Sequence, residues 1–100
     1  MRIISKAMLK NFWSLRSDYG DSEPHLKAWI EEVKRANWET PADVKAKFRT
    51  ASILKNGRVV FNIAGNKYRL VVRIEYKIKI VYIRFIGTHK EYDKIDAEVI

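Results

Sequence analysis

Apolar residues follow one period in the first half of this chain and another in the second, and a fold must satisfy both. Met8, Leu9, Phe12 and Leu15, with Trp13 beside them, recur at helical spacing. Leu26, Trp29, Ile30 and Val33 then form an i, i+3, i+4, i+7 stripe. Beyond Asn56-Gly57 the runs 59–63, 68–76 and 78–86 are rich in β-branched and aromatic residues. Side chains return to one face about every 3.6 residues on a helix and every 2 on a strand. A segment written for one therefore cannot bury a continuous face as the other. Helices first and strands afterwards predict an α+β domain, with an N-terminal helical hairpin and a short helix packed on an antiparallel β-meander.

Local signals place the boundaries. Residues 2–5 read as a short strand, with Ser5 placed to cap a helix running from Lys6 to about Ser17. Tyr19-Gly20-Asp21-Ser22 ends that helix. Ser22-Glu23-Pro24 opens the second, with Ser22 as cap and proline tolerated in the first turn. Thr40-Pro41-Ala42-Asp43 opens a third, which ends around Phe48 and pairs a capping threonine with an acid three residues on. At 100 residues there is material for one domain, 1–100, and no second core. No repeat or low-complexity tract interrupts it.

The turns Asn56-Gly57 and Ala64-Gly65-Asn66-Lys67 fix a trial register. With the second as a loop, Ile63 lies opposite Tyr68, Asn62 opposite Arg69, and Arg58 opposite Arg73. A tight turn at Lys77-Ile78 then sets Val72 against Ile83, Leu70 against Phe85, and Val71 against Arg84. Cross-strand partners share a face. One face collects Val59, Phe61, Ile63, Tyr68, Leu70, Val72, Ile74, Val81, Ile83 and Phe85 and is a core. The other holds Arg58, Asn62, Arg69, Arg73, Tyr82 and Arg84, with Val60, Val71, Ile80 and Ile86 among them. A solvated sheet face usually mixes Glu, Thr and Lys. Here four arginines converge with Glu75 as the one acid.

The overall charge agrees. Twenty Lys and Arg against twelve Asp and Glu give +8, a field that attracts nucleic acid, ribosomes or an acidic protein. With no cysteine, disulfides and thiolate metal sites are excluded and a reducing cytoplasm is the expected compartment. No apolar run reaches membrane-spanning length. Residues 1–6 lack a secretion signal's apolar segment, so a cytoplasmic protein without membrane contact is expected.

Past the last strand come Gly87-Thr88-His89-Lys90-Glu91-Tyr92-Asp93. Histidine, lysine and tyrosine can each move a proton, and lysine can also hold a phosphate. RNA is cleaved without metal when its 2′-hydroxyl attacks the adjacent phosphate, which needs a base, an acid and positive charge. Arginine's planar fork suits the charge, and histidine, titrating near 6.5 as a residue type, suits proton transfer. Each residue also has a plainer reading. A lone histidine is commonly a surface group, Tyr92 an edge of the core, and the arginines a means of keeping a sheet soluble. Asp93 and Asp96 can serve as local ion-pair partners of Lys90 or Lys94. Only His25 and His89 are histidines, and no metal-ligand spacing or Gly-rich phosphate loop occurs. Neither a metal nor a nucleotide cofactor is expected.

Three segments, in order and at preserved spacing, resemble the HigB-type toxins of the RelE superfamily. They are Asn37-Trp38-Glu39-Thr40-Pro41-Ala42-Asp43-Val44-Lys45, the run Val60-Phe61-Asn62-Ile63-Ala64-Gly65-Asn66-Lys67-Tyr68-Arg69-Leu70, and Tyr82-Ile83-Arg84-Phe85-Ile86-Gly87-Thr88-His89-Lys90-Glu91-Tyr92-Asp93. The resemblance implies a RelE-like domain that cleaves mRNA, commonly on translating ribosomes. It implies a HigA-type antitoxin with a helix-turn-helix domain as partner, and contact with operator DNA only through the complex. Arg69 matches the arginine such toxins use at the scissile phosphate. His89 and Tyr92 match the segment holding acid, base or stacking groups. Arg58, Asn62, Lys67, Arg73, Arg84, Lys90 and Asp93 complete the expected RNA-binding set.

One departure stands out. RelE uses lysines on the strand corresponding to residues 59–63, where this chain has Asn62 and no lysine. Lys67, His89 or Tyr92 must then take the base role. Two other readings remain. One is a ParE-like gyrase poison, for which the acid–base groups of the Thr-His-x-Glu-Tyr-Asp segment are superfluous. The other is a non-catalytic RNA- or ribosome-binding module.

Overall fold

A computed structural model describes all 100 residues. The elements follow in the order β1 (Arg2–Ile4), α1 (Lys6–Leu15), a 3₁₀ turn (Ser17–Tyr19), α2 (Ser22–Arg35), α3 (Pro41–Lys47), β2 (Ser52–Ile53), β3 (Arg58–Ile63), β4 (Tyr68–Glu75), β5 (Ile80–Thr88) and α4 (His89–Tyr92). The fold is α+β, and its five strands form one sheet in the order β1-β5-β4-β3-β2. The meander is antiparallel as expected, but β1 joins it parallel to β5 and makes the sheet mixed. No helix is long and apolar enough to cross a membrane.

One of the three expected helix caps forms. Thr40 caps α3 as expected: its Oγ1 accepts from the Asp43 N–H at 3.4 Å, and the Asp43 carboxylate accepts from the Thr40 N–H at 3.1 Å. Ser5 does not cap α1. It takes a left-handed conformation with φ 74 and its side chain makes no cap bond. Ser22 is buried, and its hydroxyl donates to the Tyr19 carbonyl at 2.6 Å instead of capping α2.

The first long hairpin has the expected register, from Arg58 opposite Arg73 to Ile63 opposite Tyr68. Left-handed backbone at Ala64 and Gly65 shapes its turn. Asn56 and Gly57, both at positive φ, join β2 to β3 as a two-residue Asn-Gly turn does. The second hairpin follows the expected register from Glu75 opposite Ile80 to Val72 opposite Ile83. There a β-bulge intervenes. Val71 pairs with Phe85, not Arg84, and Leu70 with Ile86, not Phe85. Arg84 is the extra residue, left without a partner on β4 and exposed. The bulge exchanges the faces of the next two residues: Ile86 packs against the main core and Phe85 against the opposite side.

The helices cover one face. Leu9 and Phe12 of α1, Leu26, Trp29 and Val33 of α2, and Val44 of α3 meet the inward side chains of β3, β4 and β5. Phe61 is held edge-on between Trp29 and Phe48, at ring separations of 5.4 and 5.0 Å. Leu70, Val72 and Val81 are fully enclosed.

Candidate functional site

The second face of the sheet is ordered in three cross-strand rows. At one end Arg58, Arg73 and Tyr82 lie in line, and at the other Asn62, Arg69 and Gly87. Val60, Val71 and Phe85 form the row between them.

The middle row is not open to solvent. Val60 and Val71 are buried, with Ala97, against Leu54, Tyr92, Ile95 and Ile100. After α4 the chain runs back over this face, which accounts for apolar residues among the arginines. It also occupies the first row. Arg58 donates from Nε and Nη2 to the main-chain oxygen of Ile100 at 3.1 and 2.6 Å, and from Nη1 to the Asn56 carbonyl at 2.9 Å. Arg73 pairs with Glu75 and stacks its guanidinium 4.6 Å from the Tyr82 ring centroid. Both arginines are thus engaged within the protein, and they sit four residues, about 13 Å, along their strands from the third row.

The third row differs. Arg69 donates from Nη1 to the Asn66 and Tyr68 carbonyls at 3.1 and 3.4 Å and meets no carboxylate. Asn62 donates its amide to the Thr50 carbonyl at 3.4 Å. Gly87 places no side chain opposite Arg69. A Cβ there would lie 2.6 Å from Cζ of Phe85 and 3.0 Å from Oε1 of Glu91, so a glycine is what lets the Phe85 ring and α4 close on the strand.

Helix α4 stands directly beyond this row. Thr88 and Glu91 form a reciprocal cap, the Thr88 N–H donating to Glu91 at 2.8 Å and the Glu91 N–H to Oγ1 of Thr88 at 3.2 Å. The His89 N–H donates to the Lys67 carbonyl at 3.3 Å, tying α4 to the β3–β4 turn. The His89 imidazole is exposed, with Nδ1 at 3.3 Å from the Asp93 carboxylate. Lys90 is exposed, and Tyr92 lies half-buried against the Val60–Val71 patch.

Lys67 belongs to the same end but is tethered. It pairs with Asp21, which also accepts from the buried Tyr68 hydroxyl at 2.6 Å. The hydrogen bond from Lys67, then that from Tyr68, holds the Asp21 carboxyl below its ordinary range, and the same bond raises the Lys67 ammonium. Lys67 is therefore a fixed positive charge at neutral pH and a poor proton acceptor. Of the expected site residues, Asn62, Lys67, Arg69, His89, Lys90, Tyr92 and Asp93 come to one end of the sheet. Arg58 and Arg73 lie at the other, and Arg84 in the bulge. Nowhere do three carboxylate or imidazole groups gather as a metal-binding set.

The family model described as HigB toxin, the RelE-like toxic component of a toxin–antitoxin system, matches residues 22–95. This chain belongs to the HigB toxin family. Among curated HigB proteins it is 30% identical to the mRNA interferase toxin HigB of Escherichia coli K12 over 97% of its own length and 92% of that protein. The mRNA interferase HigB of Escherichia coli O6:H1 is 28% identical over 95% of this chain and 91% of that one.

Three residues that shape this end of the sheet lie outside the set expected from the sequence. Phe85 was expected in the core, since the bulge that turns it outward carries no local signature. Asp21 meets Lys67 across 46 residues of sequence, a pairing no local pattern announces. Glu91 had a signal: Thr88-x-x-Glu91 is a capping box.

Proposed function

We propose that this HigB-family chain is a single-domain endoribonuclease of the cytoplasm that cuts mRNA on the translating ribosome and is neutralised by a HigA-type antitoxin. Operator DNA is contacted only through that toxin–antitoxin complex. The observation that carries the reading is one juxtaposition. Arg69, free of any carboxylate, shares a sheet end with a capped helix presenting His89, Tyr92 and Lys90. The names of its relatives agree in chemistry.

In this mechanism the message's own 2′-oxygen attacks the adjacent phosphorus, forming the 2′–O–P bond while the bond to the 5′-oxygen breaks. The 2′-proton passes to a base and the 5′-oxygen receives one from an acid, leaving a 2′,3′-cyclic phosphate and a 5′-hydroxyl. Arg69 neutralises the crowded phosphoryl oxygens with its fork of donors. His89 and Tyr92 are the proton-transfer groups, and Asp93 beside Nδ1 turns the other imidazole nitrogen outward. Lys67, Lys90 and Asn62 hold flanking phosphates and bases. A base role for Lys67 is disfavoured by its pairing with Asp21.

The test is a translation reaction programmed with a defined message. Purified protein should cut it and leave 2′,3′-cyclic ends. An intact message would support the non-catalytic binding module, and gyrase-dependent DNA breaks the ParE-like alternative.

A further inference from the structure

The sheet has one open edge beside this site. Strand β2 covers only Val59 and Val60 of β3, pairing them with Ile53 and Ser52. The remaining residues of β3 have no strand on that side. Main-chain groups of successive residues in a strand point to alternate sides. The Ile74 N–H donates to Gly57 at 2.9 Å, so 57, 59, 61 and 63 address β4. The Leu54 N–H donates to Arg58 at 2.9 Å, so 58, 60 and 62 address the outer edge. At Asn62 the main-chain groups on that edge are unpaired: Thr50, which the β2 register carries opposite it, bonds only the Asn62 side chain, and neither the Asn62 N–H nor its carbonyl has a main-chain partner. A vacant donor–acceptor pair beside an existing short strand is a template for an added one.

A cavity of about 180 Å³ adjoins the same edge; its apolar walls are Ala28, Trp29, Phe48, Ile63 and Ala64, with Asn62, His25 and Glu32 at its polar margin. Roughly 150 Å³ suffices for a benzene-sized group. Its one acid, Glu32, is already neutralised by Lys47 at 3.0 Å and Arg35 at 3.3 Å. The connection from α3 to β2 adds exposed Arg49.

We propose that an extended, acidic segment of the partner antitoxin pairs with the outer edge of β3 at Asn62 and seats an apolar side chain in this cavity. The partner being an antitoxin rests on the function proposed above. Three features select a peptide of this kind. Only another main chain can satisfy the Asn62 N–H and carbonyl together in a ladder, an apolar cavity beside an open edge is how added strands gain specificity, and the +8 chain favours acid. Because Asn62 stands in the same row as Arg69, a strand bound there lies against the end of the sheet that carries Arg69 and obstructs the message.

The experiment uses the full chain and its purified cognate antitoxin. Ala28 is exposed on α2, so Ala28→Trp fills the cavity and Ala28→Glu sets a like charge at its lining. Both should weaken antitoxin binding at least tenfold by calorimetry while the free variants still cut message as the parent does. Hydrogen exchange at the Asn62 amide should slow when the antitoxin binds. Unchanged affinity in both variants together with unchanged exchange at Asn62 overturns the proposal. So does protection of that amide by single-stranded RNA and not by the antitoxin. Message cleavage without antitoxin is read separately: a chain that binds antitoxin at this edge yet never cuts RNA keeps the docking site and loses the ribonuclease reading.

Discussion

Arg69 and Gly87 are partners across β4 and β5, so a guanidinium without a carboxylate faces a position without a side chain. The remaining arginines of the β3–β4 face are occupied at the far end. Arg69 has no such partner: its guanidinium bonds only the Asn66 and Tyr68 carbonyls and meets no carboxylate.

Replacing Arg69 should therefore show in chemistry before stability. Arg69→Ala is expected to slow message cleavage by about 10²- to 10³-fold. Arg69→Lys should recover only part of that, because an ammonium lacks the two-pronged donor geometry. Single-turnover cleavage of a labelled message measures both, with circular dichroism confirming the fold.

His89→Ala should lower the cleavage rate by about 10²- to 10⁴-fold, the range of a single acid–base group. Tyr92→Phe keeps the ring that packs on Val60 and Val71 and removes only the hydroxyl. It is expected to leave the unfolding midpoint in place and to slow cleavage by about 10²-fold. A fully active Tyr92→Phe would reduce Tyr92 to a packing residue.

Gly87→Ala should destabilise the protein by about 1–3 kcal/mol, as overpacking does, since the new methyl meets the Phe85 ring and the Glu91 carboxylate. Urea unfolding of Gly87→Ala, Phe85→Leu and the double variant supplies the check. The double variant should be less destabilised than the sum, because the smaller side chain relieves the clash.

Acid should unfold the protein through identifiable carboxylates. Asp21 is lowered by Lys67 and Tyr68, and Asp43 by the N–H groups of Glu39 and Thr40, both from an ordinary 3.8. A lowered folded value means that the stabilisation is complete above the unfolded one and disappears as pH falls through the folded one. The urea midpoint should hold near neutrality and decline below about pH 4. Asp21→Asn and Asp43→Asn together should flatten that decline. For Lys67, raised above 10.5, the sign reverses: its contribution is present below that value and is lost as pH climbs through the folded one.

Local chemistry made much of the meander legible. Ala64–Lys67 set one hairpin and the Lys77-Ile78 centre set the next as far as Val72, and alternation then sorted the core without contacts being known. Two things were illegible. A bulge adds a residue without altering composition, so Arg84, Phe85 and Ile86 were shifted by one place. The segment after Tyr92 contacts the sheet through Ile95, Ala97 and Ile100, a spacing that fits neither helix nor strand, so its cover over Val71 and its hold on Arg58 had no periodic trace. The gathering of Asn62, Arg69 and His89 was legible because turn length alone brings their strands to one end.

Strand β1 lies against β5, pairing residues 2–4 with residues 80–82. That contact closes a loop of nearly the whole chain, and distant closures of this kind form late. Residues 2–4 have no strand partner without β5, and α4 follows β5 directly in the chain. A chain shortened before residue 80 therefore lacks both the partner of residues 2–4 and α4, so the border of the sheet and the helix beyond its third row are gained together.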